Sequence, residues 1–239
     1  MDKFQPVSIG NRRLPLPQAG GVLSPEASKV LRNTYWLLAL TMLPTIAGAF
    51  VGMQMNLASV FVAYPIMAPL ALFGVMIGSL FVVTAFRNSV IGIVALFGFT
   101  FIAGLALTPI LTHAMRMSNG GQLVALAGGM TAVIFFALAS FATVTKRDFS
   151  FMGKFLFIGL ILLIVASLAN LFFQVPALSI TISAIAVLLF SAYILYDVSR
   201  IVNGGETNYV MATMALFLNI YNLFISLLNI LLAFSGQRE

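Results

Sequence analysis

Seven long apolar runs decide what this chain can fold into. They fall near residues 33–53, 66–86, 89–112, 122–144, 153–173, 177–197 and 209–234. A helix crossing a bilayer needs ~20 mostly apolar residues, and each run has that length. Helices and closed barrels are the only spanning solutions, because the hydrocarbon core offers no water to satisfy the backbone. The runs are unbroken rather than alternating over ~10 residues, which excludes a transmembrane barrel. Charged residues are 8% of the chain and apolar residues 61%, against about 25% and 45–50% in a soluble domain. The reading is an all-α integral membrane protein, a seven-transmembrane-helix bundle.

The segments between the runs are short and polar. Arg87-Asn88 separates the second and third. His113 to Gly121 separates the third and fourth, and Lys146-Arg147-Asp148 the fourth and fifth. Gln174-Val175-Pro176 predicts a tight turn between the fifth and sixth. Residues 203–208 join the last two, and residues 54–65 are the softest boundary. Pro44 predicts a kink in the first span. Residues 1–28 carry Pro6, Pro15, Pro17 and Pro25 and lack a signal-peptide apolar core, so they read as a flexible tail ahead of a domain at 29–239. Ser24-Pro25-Glu26 reads as a helix start: a capping hydroxyl, a proline for the first position and an acid for the positive dipole end.

Lysine and arginine set the orientation. Of the 12, ten map to one side: Lys3, Arg12, Arg13, Lys29, Arg32, Arg87, Lys146, Arg147, Lys154 and Arg200. Only Arg116 and Arg238 map to the other. This predicts a cytoplasmic N terminus and a periplasmic C terminus, which an odd span count permits. The basic residues are scattered at span ends and form no stripe, so the net charge of +6 does not indicate nucleic acid.

Polar residues inside the spans are the candidates for chemistry. Asp197 stands near the end of the sixth span, and an intramembrane acid is by default a functional hypothesis. Two other readings compete: an interfacial position, or a pair with Arg200 three residues on. On the seventh span Asn219, Asn222, Ser226 and Asn229 recur at spacing 3-4-3 and share one helical face. That stripe faces the bundle or a wet cavity, or serves as interhelical glue, the role expected first for Asn229. A turn centred near residue 206 brings Asp197 within about one helical turn of the depth of Asn219. Asp197, Asn219, Asn222 and Arg200 are therefore the pore or pH-sensing candidates. Gly74 and Gly78 form a GxxxG, a pattern for close helix approach. The single His113 cannot make a metal site, the methionines are spread as packing material, and no nucleophile–base pair, phosphate loop or zinc motif is present. No cofactor, metal or enzymatic activity is expected.

Four stretches carry a family resemblance: KVLRNTYWLL at 29–38, TKRDFSF at 145–151, NGGETNY at 203–209 and NIYNLFISLL at 219–228. With seven spans, an Asp ending the sixth and a polar-striped seventh, the chain resembles the transmembrane Bax inhibitor motif family, most closely its bacterial YccA branch, over about residues 28–234. The resemblance implies one of two functions. Some members are pH-sensitive calcium leak channels gated by a pair of aspartates on the last two spans. Asp197 matches the first, and Asn219 occupies the second position. Members of the bacterial branch are substrates and modulators of FtsH, a membrane-anchored ATP-dependent protease. The resemblance therefore implies an inner-membrane partner of FtsH, gripped by its N-terminal tail, with a proton-sensitive calcium or cation leak at Asp197 as the alternative.

Overall fold

The structure, a computed structural model, describes residues 23–236. Most of the expected tail, with Lys3, Arg12 and Arg13, and Arg238 at the other terminus, lie outside the described residues. The helices are α1 (Pro25–Gln54), α2 (Ala58–Ala63), α3 (Met67–Ala85), α4 (Val90–Ala106), α5 (Thr108–Met115), α6 (Gly120–Thr145), α7 (Gly153–Phe173), α8 (Pro176–Val202) and α9 (Tyr209–Ser235). Among the described residues, seven segments are long and apolar enough to cross a membrane. They match the seven expected runs, with α4 and α5 together making the third, α8 the sixth and α9 the seventh.

Local chemistry explains the boundaries. Ser24 caps α1: its hydroxyl accepts from the Ala27 N–H at 3.1 Å, and Pro25 takes the first position. Residues 25–28, assigned to the tail by sequence, are thus helical. The α1 helix runs through Pro44 as one element. The soft boundary after it contains the short helix α2, which the sequence reading missed. The third span breaks at Leu107, where Thr108-Pro109 restarts the chain as α5; proline suits a helix start and cannot continue a helix from within. Gln174 ends α7 in the left-handed region (φ 53°), the Asn170 side chain accepts from the Val175 N–H at 3.0 Å, and Pro176 opens α8. This is the tight turn expected there.

Helix α9 is the hub, packing on α1, α4, α5, α6 and α8. Its bonds are interhelical as well as apolar. The Tyr221 hydroxyl donates to the Ala103 carbonyl of α4 at 3.0 Å, and the Thr213 hydroxyl reaches the Thr34 carbonyl of α1 at 3.3 Å. Phe99 meets Phe217 edge-on and Phe217 stacks on Tyr221, with ring centroids 5.8 Å apart in each pair. By contrast α3 packs chiefly on α4, and α7 on α8.

The close helix approach is not where the sequence reading put it. A Cβ on Gly74 or Gly78 would meet nothing within 4 Å, so that GxxxG faces no helix of this chain. The tight pair is α1 against α4. A Cβ on Gly48 would strike the Phe101 carbonyl, one on Gly52 the Thr108 hydroxyl, and one on Gly104 the Thr45 carbonyl. Gly48 and Gly52 are also a GxxxG; Gly48 lies against the backbone of α4 and Gly52 against the Thr108 side chain at the start of α5. Gly48→Leu is expected to destabilise the protein by about 1–3 kcal/mol through overpacking, read as a lowered Tm in detergent. Gly74→Leu is expected to leave Tm unchanged. Equal effects of the two would contradict this packing.

Candidate functional site

The site lies where α8 and α9 leave their shared hairpin. Asp197 sits five residues before the end of α8, and Asn219 ten residues into α9. Counted from the turn they differ in depth by about 6 Å. Helical side chains lean toward their own N-terminus. On α8 that direction is away from the hairpin, and on α9 it is toward it, so the two side chains lean toward each other. They meet: the Asn219 amide Nδ2 donates to Asp197 Oδ2 at 2.7 Å. Both are buried, at 9% and 5% exposure.

Arg200 does not join them. Its guanidinium stands 3.6 Å from Glu206 Oε2, donates to the Gly205 carbonyl at 3.3 Å and lies over the Tyr196 ring at 5.7 Å. The Asp197–Arg200 pair entertained from sequence is not formed. Asp197 is thus a buried carboxylate held by one amide on the neighbouring helix.

The rest of the polar stripe divides. Asn222 donates to its own helix, to the Leu218 carbonyl at 2.8 Å, and borders a cavity of about 410 Å³ that α3 and α7 also line. Ser226 donates back to the Asn222 carbonyl at 2.7 Å. Asn229 borders a cavity of about 460 Å³ with Ser167, Asn170, Gln174, Ser179 and Ser183. Among the described residues Asn229 makes no hydrogen bond to another helix. The interhelical bond belongs to Asn219, where the sequence reading had expected it first of Asn229.

Three residues that sequence reasoning passed over organise the loops beside the site. Ser199, fully buried, donates its hydroxyl to the Arg147 carbonyl at 2.8 Å and accepts from the Phe149 N–H at 3.1 Å. Asn203 reaches the same Arg147 carbonyl at 3.3 Å. Asn208 caps α9, accepting from the Val210 and Met211 N–H groups at 3.0 Å each, and its amide donates to Asn88 Oδ1 at 2.7 Å and the Arg87 carbonyl at 3.2 Å. Gly204 adopts φ +76°, which lets the Gly205 and Glu206 N–H groups fold back onto the Arg200 carbonyl. The other two loops at this end, at 86–89 and 146–149, are therefore tied to the α8–α9 hairpin. In the α6–α7 loop, bonds from Ser150 hold the Asp148 carboxyl below its usual range. The signal for Asn203 and Asn208 was their polarity within the NGGETNY stretch, which marks turns and caps; Ser199 lies outside it, inside α8.

Asp197 and Asn219 supply side-chain oxygens from two residues, whereas calcium takes six to eight oxygen ligands. Among the described residues no group of three His, Cys, Asp or Glu side chains could hold a metal. An Asp–Asn pair also lacks the shared proton of two facing carboxylates.

Seven apolar helices gathered in one bundle define a multi-pass inner-membrane protein. The profile of the family described as Inhibitor of apoptosis-promoting Bax1 matches residues 27–236. The chain belongs to this Bax inhibitor family. It is 39% identical over 203 residues to the Modulator of FtsH protease YccA of Escherichia coli K12, covering 85% of this chain and 89% of that protein. It is 45% identical over 208 residues to an uncharacterized protein of Pseudomonas aeruginosa (86% and 89% covered) and 44% identical over 215 residues to one of Campylobacter jejuni (90% and 92% covered).

The Asp197–Asn219 bond is testable by a double-mutant cycle. Asn219→Leu alone strands the buried carboxylate and is expected to cost about 1–3 kcal/mol. Adding Asp197→Leu is expected to recover most of it, because neither polar group then remains. Reversible unfolding in mixed detergent measures both. Additive losses would show that the two side chains do not depend on each other.

Proposed function

We propose that this protein is a modulator of the membrane-anchored ATP-dependent protease FtsH, acting as a slowly degraded binding partner with no catalysis of its own. The observation that carries this reading is its 39% identity, over 85% of the chain, to a protein named for that role. The site supports it. Where a proton-gated leak would use two facing carboxylates, Asp197 meets an amide, an arrangement suited to locking α8 against α9. Asp197, Asn219, Asn222 and Arg200 are then positioning residues of a rigid hairpin.

The N-terminal side is cytoplasmic in this proposal. Lys29, Arg32, Arg87, Lys146, Arg147, Lys154 and Arg200 belong to helix ends and loops on the side from which α1 starts, and Arg116 belongs to the opposite side. That orientation presents the proline-rich stretch ahead of Pro25 to a cytoplasmic protease. The stretch is the handle for slow degradation, and the bundle is the part that binds within the membrane.

Deleting residues 2–20 separates handle from bundle. The truncated protein is expected to persist several-fold longer than the full chain after synthesis is blocked in cells, while still co-purifying with FtsH. Unchanged turnover would remove the handle from the proposal.

A further inference from the structure

One face of α1 reads continuously as Ser28, Arg32, Tyr35, Ala39, Met42 and Ile46, at the three- and four-residue spacing of a single helical stripe. Its upper part borders a cleft of about 510 Å³ between α1 and α6, floored by Phe217, Ile220, Tyr221 and Phe224 of α9. The cleft exists because α1 and α6 pack on α9 but hardly on each other. Gly128 of α6 faces open space in this cleft, since a Cβ there would meet nothing within 4 Å. The lower part of the stripe borders a second hollow, lined by Ser28, Leu31, Arg32, Tyr35 and Trp36. Tyr35 is shared by both and packs edge-on against Phe135 at 6.0 Å.

The two hollows differ in chemistry. The cleft is lined almost wholly by hydrocarbon. Of the hydroxyls on its wall, Thr45 donates to the Thr41 carbonyl at 2.8 Å, Thr131 to the Ala127 carbonyl at 2.7 Å and Tyr221 to the Ala103 carbonyl at 3.0 Å. The Tyr35 hydroxyl, where the two hollows meet, is itself buried. The lower hollow carries a cation. Arg32 is exposed, forms no ion pair among the described residues, and has no acidic side chain beside it in the hollow. Lys29 stands exposed one residue below Val30 on the same helix start.

Lining and charge select the occupant. From Tyr35 to Ile46 the stripe is about 16 Å long, and over that length the walls are apolar. Beyond Tyr35 the exposed guanidinium of Arg32 stands in the lower hollow. A hydrocarbon chain ending in an anionic group complements both parts. We infer that the α1–α6 cleft is a specific binding site for an anionic phospholipid, with an acyl chain between α1 and α6 and the headgroup phosphate on Arg32.

The chain carries its own reporter, because Trp36 is its single tryptophan, 70% exposed and on the wall of the Arg32 hollow. The full-length protein would be placed in phosphatidylcholine vesicles containing chain-brominated phosphatidylglycerol or chain-brominated phosphatidylcholine, and the quenching of Trp36 titrated. Brominated phosphatidylglycerol is expected to quench at about fivefold lower mole fraction, the advantage of roughly one basic contact. Arg32→Gln is expected to abolish that preference. Gly128→Leu, which fills the cleft without touching the headgroup, is expected to reduce it several-fold, and Gly128→Ala to leave it intact. Equal quenching by the two lipids in the unaltered protein overturns the proposal. So does a preference that survives either Arg32→Gln or Gly128→Leu; the first would assign it to general surface charge, and the second to the headgroup alone. Arg32→Gln, at an exposed position, keeps the test decisive if Gly128→Leu does not fold.

Discussion

The absence of water in the bilayer core is the constraint on which this structure depends. A polar group carried into the spans is costly unless it finds a partner within the chain. Most hydroxyls solve this on their own helix, as Thr41, Thr45, Thr131 and Ser226 do by donating to a carbonyl three or four residues back. Asp197 cannot, since a carboxylate needs a donor and helical backbone N–H groups are already used. Its donor comes from the next helix, Asn219. One local deficit thus becomes a tertiary link, and it fixes the register of α8 against α9. Because α9 also touches α1, α4, α5 and α6, that register is passed to much of the bundle.

The same logic orders the end of the molecule beyond the spans. Ser199, Asn203 and Asn208 collect the backbone groups of the loops at 86–89 and 146–149 onto the α8–α9 hairpin. In the proposed role, the tied loops and locked hairpin are the features that would oppose unfolding of the bundle by the protease.

Much of this was legible in the sequence. The seven spans followed from run length, because apolar length alone determines whether a helix can cross. The meeting of Asp197 and Asn219 followed from counting residues about a hairpin, since short antiparallel connections leave little freedom in register. What was not legible depended on tertiary choice. Gly48–Gly52 and Gly74–Gly78 are the same pattern, and only the packing of α1 on α4 shows which pair brings backbones together. Arg200 had two acids within reach and took Glu206, because the Gly204 turn folds Glu206 back beneath it. The α4–α5 break at Thr108-Pro109 was written in the proline, but an uninterrupted apolar run hid it.

The amide that satisfies the intramembrane acid holds two helices together, and the proposed role as a modulator of FtsH rests on the kinship to a protein of that name. The central claim is physical association with the protease. Its most direct test is capture of the full-length protein, tagged at the C terminus, from native membranes in mild detergent, with bound proteins quantified against an unrelated seven-span protein expressed at the same level. The account predicts FtsH enriched at least several-fold over that control. Recovery of FtsH at the control level would contradict it.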